Sequence, residues 1–204
     1  MTTFVDLAKQ VLDRPARLGP VRLVAVDGPS GSGKTTFAER LAEAVTAEGA
    51  TAEVVHTDDL VAGWEDQFGF RDRLYRVLAP LRSGLPARYQ AYDWIGGRFA
   101  QERTVPVPDV LIVEGSTATG AAPRAELTLS VFLDAPEPDR LARVLARDGA
   151  GVEAPLRRWM AAERAWFATQ RPWEWVDFRI DAQAGGGAPS REDVQLLGPG
   201  DGHG

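Results

Sequence analysis

Residues 28–35 read GPSGSGKT, the spacing G-x-x-x-x-G-K-[ST] with Gly28 and Gly33 as its fixed glycines. Such a loop can hold phosphate. Successive backbone N–H groups must turn inward around an anion, so glycine is needed where a side chain would obstruct. The helix that follows adds its unpaired N–H groups and the positive end of its dipole. Lys34 supplies a compact, mobile charge for β- and γ-phosphates, and the Thr35 hydroxyl suits a Mg²⁺ ion. The expected phosphate-binding set is Gly28, Pro29, Ser30, Gly31, Ser32, Gly33, Lys34, Thr35 and Thr36. The only lysines are Lys9 and Lys34, and every other basic residue is arginine. Lysine stands at position 34, where a point charge rather than a planar fork is wanted. A Gly/Ser turn that binds nothing is the alternative, and the order strand, loop, helix argues against it.

Two acids join this loop if strands carry them. Asp58 lies in HTDD at 56–59, just past an apolar run, and Glu114 ends the run DVLIVE at 109–114. Asp58 can accept a proton from a hydroxyl or hold a water on Mg²⁺. An N-cap for the next segment is the alternative, and for Asp59 the cap reading is at least as good. Glu114 stands where an acid would reach Mg²⁺ through a water, and Gly115 after it lets the backbone run close. Arg140, Arg143 and Arg147 fall at i, i+3 and i+7 and share one helix face. That face suits anion contact, with a solvated charge run as the alternative.

The elements needed to position these groups are legible. Thr2 or Thr3 can cap a helix to about Asp13, whose stripe is Phe4, Leu7, Ala8, Val11 and Leu12. Strands are expected at Val21–Val26, Ala52–Thr57, Asp109–Glu114, Leu127–Leu133 and Val176–Ile180, and helices at 34–47, 70–81, 138–148 and 155–170. Chemistry in an open α/β sheet gathers beyond the carboxyl ends of its strands, which brings Asp58 and Glu114 toward the loop. Residues 82–103 mix arginines with aromatics, including Arg88, Tyr89, Tyr92, Trp94, Arg98 and Phe99. They suit a substrate lobe, with aromatic faces for a flat base and Arg98 for phosphate. A helical insertion with core aromatics is equally compatible. The helices at 138–148 and 155–170 flank the Gly-rich DGAGVEAP and suit a lid. Residues 1–181 read as one domain with the lid at roughly 139–170, and 182–204 as a flexible C-terminal tail.

Composition narrows the partners. The chain has 204 residues, 44% hydrophobic and 25% charged, and a net charge of −6. These values suit a globular core and argue against binding a nucleic-acid polymer. Cysteine is absent, which excludes disulfides and thiol chemistry. No run approaches a membrane span and no signal-peptide core opens the chain, so a cytoplasmic protein without membrane contact is expected. Oligomeric state stays open, a homo-oligomer included. A GTPase would need Asn-Lys-x-Asp, and the chain contains no asparagine. A motor-type ATPase would carry a longer core and an acid pair where Glu114 is followed by glycine. A compact small-molecule kinase remains, with a nucleotide-binding regulatory module as the reading from another class.

The segments VDGPSGSGKTT (26–36), HTDDL (56–60), AYDW (91–94), PDVLIVEG (108–115), DRLARVLARD (139–148) and DFRID (177–181) resemble, in order and spacing, the uridine kinase and phosphoribulokinase group of P-loop kinases. The resemblance implies a P-loop NTPase fold. That is a three-layer α/β/α sandwich on a central, mostly parallel five-stranded sheet, with a substrate-lobe insertion and a helical lid. It implies ATP and Mg²⁺, a small-molecule hydroxyl as acceptor, and Asp58 as catalytic base. Tyr92 and Asp93 would lie near a nucleoside base, and Arg140 and Arg143 would hold the acceptor or the transferring phosphate. Arg147 would be a lid arginine, and Glu114 the acid before the glycine. Lys34, Asp58, Arg143 and Arg147 are thus the expected catalytic residues, Asp58, Tyr92, Asp93, Arg98 and Arg140 the substrate-binding ones, and Thr35 and Glu114 the metal ligands. The group carries a histidine after its Tyr-Asp-Phe, where this chain has Trp94-Ile95-Gly96-Gly97-Arg98, and an aromatic pair where it has Leu60-Val61. These departures leave the acceptor open among nucleosides, sugars, a pantothenate-like precursor or an antibiotic.

Overall fold

The computed structural model describes residues 2–182 and the strand pairs at 193–194 and 196–197. Most of the tail expected from 182 onward lies outside the described residues. The first helix, α1 (Phe4–Asp13), opens with Thr3 and Asp6 in a reciprocal capping box. Strand β1 (Arg22–Asp27) runs into the phosphate loop, and α2 (Lys34–Ala47) follows. Then come β2 (Ala52–His56) and α3 (Phe70–Arg82), which carries Pro80 in its last turn and ends two residues beyond it.

Residues 82–103 settle as a hairpin, β3 (Ala87–Asp93) and β4 (Arg98–Val105), rather than a helical insertion. The alternation of ARYQAYD buries Ala87 and Ala91 on one side, a period of two that a helix could not use. Further on lie β5 (Val110–Glu114), the one-turn α4 (Ala118–Ala121), β6 (Leu127–Asp134), α5 (Glu137–Asp148), α6 (Glu153–Gln170) and β7 (Phe178–Asp181).

Five strands pair in parallel in the order β7-β6-β1-β5-β2, and β8 (Leu196–Leu197) adds antiparallel to β7. The sheet is covered on both faces, so its strands are apolar nearly throughout. Leu23 and Ala25 of β1 face a cluster with Leu74, Val77, Leu78 and Leu81 of α3. Val24 and Val26 face Leu7 and Val11 of α1 and Phe37, Leu41 and Val45 of α2. Register aligns Val26, His56 and Glu114 across three neighbouring strands, and so places their ends at one level beside the loop. Among the described residues no helix is long and apolar enough to cross a membrane.

Candidate active site

The loop between β1 and α2 forms a cradle. Gly33 has φ +93°, and a Cβ there would project into open space, so the position demands glycine for its backbone and not for crowding. Gly31, at φ +79°, is crowded instead: a Cβ would lie 2.4 Å from the Arg140 carbonyl of α5. Lys34 is only 8% exposed, and its Nζ donates to the Pro29 carbonyl at 3.0 Å, across the loop. At the first turn of α2, the Thr35 hydroxyl donates to Glu114 Oε1 at 3.2 Å. His56 Nδ1 meets the same oxygen at 2.6 Å. That bond, with the negative charge of Glu114 behind it, raises the His56 pKa.

Thr35 and Glu114 together fit a Mg²⁺ ion in chemistry, since both offer hard oxygen donors at the loop. Among the described residues no group of three or more His, Cys, Asp or Glu is placed to hold a metal. Such an ion would therefore take phosphate oxygens and waters for its remaining positions.

Asp58 and Asp59 part company in the short 3-10 turn Thr57–Leu60. Asp59 accepts from the Tyr89 hydroxyl at 3.1 Å and lies 4.0 Å from Arg103, so it ties the turn to the hairpin and is not a cap. The Asp58 carboxylate makes no hydrogen bond among the described residues and opens to the cleft. The side chain is exposed at the mouth of the cleft, yet the protein around it desolvates the charged form and raises its pKa to about 6, with the Glu114 charge adding to the rise. Lys34 and Arg147 act in the opposite direction, which places both cations near it.

The three arginines of α5 do not act alike. Arg140 is buried and donates to the Ala135 carbonyl at 2.8 Å and the Ser30 carbonyl at 3.0 Å. It braces the loop from behind instead of facing the cleft. Arg143 reaches the Gly31 carbonyl at 3.2 Å and the Ala182 carbonyl at 3.3 Å. Arg147 pairs with Asp148 at 2.6 Å, which raises its pKa, and its charge is felt at Asp58 and Glu114.

On the hairpin, Asp93 accepts from Ile95 N–H at 3.0 Å and Gly96 N–H at 2.9 Å, closing the turn. Arg98 stands opposite Asp93 in register and is exposed. The Tyr92 ring packs edge-on against Trp94 (5.5 Å) and Phe99 (5.2 Å). Trp94 donates its indole N–H to the Asp58 carbonyl at 3.2 Å, which joins this aromatic group to the acid. Between residues 64–69 and α6 lies a cavity of about 440 Å³, lined by Trp64, Phe68, Pro155, Arg158 and Trp159 among others.

Sequence reading assigned no role to three residues that shape this site. Asp27 is fully buried and accepts from the N–H groups of Gly28 (2.6 Å), Thr117 (2.8 Å) and Thr119 (3.1 Å), and from the Thr119 hydroxyl. Burial raises its pKa to about 6 against the pull of those bonds. It pins the loop after β5, where Thr117 holds a left-handed φ of 67°. An acid ending a buried strand was the available signal, the same one that marks Glu114. Glu163 of α6 is 1% exposed and sits against Ser30. Its signal was an acid on the apolar stripe of a helix. Trp64 had no signal, since only the tertiary fold sets it between Trp94 and Trp159.

Comparisons with known proteins agree with this architecture. No protein-family model matches the chain. It is 26% identical over 162 residues to the uridine kinases of Borrelia duttonii (strain Ly) and Borrelia recurrentis (strain A1), covering 71% of this chain and 78% of each relative. Among solved structures, a possible uridine kinase from Bacillus stearothermophilus superposes with a TM-score of 0.65 at 22% identity, covering 86% of this chain and 96% of that one. A candidate fructose transport system kinase from Silicibacter sp. TM1040 gives 0.61 at 26% identity, covering 81% and 95%. The fold is that of the P-loop nucleotide-binding proteins, a three-layer α/β/α sandwich. Within that class the chain is similar to uridine kinases in sequence, at 26% identity.

Proposed function

We propose that the protein is an ATP-dependent kinase that transfers the γ-phosphoryl group to a hydroxyl of a small molecule, most simply a nucleoside. The observation that carries this is the free carboxylate of Asp58, held in the cleft beside Lys34 and the loop while its neighbour Asp59 is bound to the hairpin. A protein that only sensed nucleotide would not need such an acid. The acceptor oxygen would attack the γ-phosphorus, its proton would pass to Asp58, and the bond to the β,γ-bridging oxygen would break to release ADP. Lys34 and the loop N–H groups would hold the phosphates, and Arg143 and Arg147 would offset the charge that moves. Thr35 and Glu114 would hold Mg²⁺, which supplies further charge neutralisation. The Tyr92, Trp94 and Trp64 faces and Arg98 would contact the acceptor, and Asp93 would act by shaping the turn that presents them.

A non-nucleoside acceptor is the second reading. It is favoured by the lack of histidine among residues 95–99 and by likeness to a candidate fructose transport system kinase. ADP release measured over a panel of nucleosides, sugars, pantothenate and aminoglycosides tests both readings. Acceptor-dependent ADP from one class names the substrate. ATP binding without acceptor-dependent ADP from any class would overturn the kinase reading in favour of a regulatory module.

The Asp58 pKa of about 6 also predicts a pH profile. Only the ionised carboxylate can take the acceptor proton, so kcat/KM should fall about tenfold per pH unit below that value and level off above it. A profile of the wild-type enzyme from pH 4.5 to 8 checks this, and Asp58→Asn should lose the acid limb.

A further inference from the structure

Glu163 occupies the apolar stripe of α6, where Leu156, Trp159, Met160 and Phe167 are also buried. A carboxylate so enclosed persists only when donors surround it. Ser30 N–H lies 3.1 Å from both carboxylate oxygens, the Ser30 hydroxyl donates at 2.6 Å, the Trp159 indole N–H donates at 3.0 Å, and the Ser116 hydroxyl completes the set. Two of those four donors belong to the phosphate loop itself. An anion carried by α6 thus rests on a loop whose N–H groups suit anions, and its charge is felt at Asp58. The contacts continue toward the acceptor side. Trp159 meets Trp64 edge-on at 5.8 Å, Trp64 meets Trp94 at 5.4 Å, and Trp94 is bonded to the Asp58 backbone.

We propose that Glu163 is a positioning residue that couples the triphosphate side of the cleft to the acceptor side. Its carboxylate holds α6 on Ser30 and gives way when a triphosphate enters, and the Trp159–Trp64–Trp94 wall shifts with it. The acceptor half of this statement rests on the kinase reading, while the competition between anions does not. A triphosphate and a carboxylate in one crowded cleft repel each other. Nucleotide affinity is then lowered by the fraction of molecules whose loop is free of Glu163.

The test is calorimetric titration of ATP and of inorganic pyrophosphate into the full chain, without acceptor. Glu163→Gln keeps the shape of the side chain and removes its charge. It should bind both probes roughly tenfold more tightly than wild type. Ser116→Ala removes one donor from the carboxylate and should shift affinity in the same direction by less, so it reads the competition if Glu163→Gln does not fold. Tryptophan emission should change on ATP addition in wild type, and this change should shrink in Trp159→Phe. A purely structural role predicts the opposite, since a loosened loop binds more weakly. Unchanged or weaker ATP binding in a variant with wild-type melting temperature would overturn the proposal. An acceptor panel that yields no ADP would remove the kinase reading and leave this measurement intact.

Discussion

Lys34→Ala should lower kcat/KM for ATP by at least about a hundredfold, because one preorganised cation facing the transferring phosphates carries that much transition-state stabilisation. The side chain is nearly buried, and its Nζ already bridges to the Pro29 carbonyl, so its charge is held in the cradle before any ligand arrives. Removing one such hydrogen bond costs only about 1 kcal/mol of stability, so the variant should stay folded. Lys34 also lowers the pKa of Asp27 and of Asp58. Its loss should therefore move the acid limb of any residual activity to higher pH. Steady-state kinetics with a thermal melt separates these effects. Turnover near the wild-type rate would show that Lys34 does not touch the reacting phosphates.

Asp58→Asn should leave the ATP dissociation constant within about threefold of wild type and reduce kcat by roughly a hundred- to ten-thousandfold, the range for loss of a general base. The carboxylate makes no hydrogen bond that asparagine would break, and the turn that carries it is held by Asp59 to Tyr89 and by Trp94 to the Asp58 carbonyl. The expected signature is thus intact binding with failed transfer. Calorimetry for ATP and single-turnover measurement of ADP are the two readouts. An unchanged kcat would remove Asp58 as the base and direct attention to Glu114 and Glu163, the two carboxylates bonded to the loop residues Thr35 and Ser30.

Local pattern carried much of the architecture. The β1–loop–α2 unit is legible because each part depends on its own few residues: an apolar run, glycines, then Lys34 and Thr35. Helix α2 begins and ends where the pattern predicts, at Lys34 and Ala47. Glu114 is legible because an acid that closes an apolar strand falls at the strand's carboxyl end, and parallel register then sets it beside the loop. Residues 82–103 were ambiguous, since aromatics spaced along a polar run satisfy either period until strand pairing selects one. Arg140 shows a different limit. Helical spacing put it on a face with Arg143 and Arg147, but α5 packs that side of its first turn against the loop, and the guanidinium satisfies the Ser30 and Ala135 carbonyls.

By itself, then, the sequence determined the phosphate loop, the parallel sheet and the two strand-end acids. These follow from backbone sterics and from period, which act over a few residues. Tertiary structure alone decided that Asp59 is held by the hairpin, that Asp27 pins the loop after β5, and that Glu163 rests on Ser30. Each of those depends on donors from residues far apart in the chain: Glu163 and Ser30 are 133 positions apart, and Asp27 and Thr119 are 92. No local pattern encodes a hydrogen bond at that separation, because it exists only once the sheet has brought both ends together.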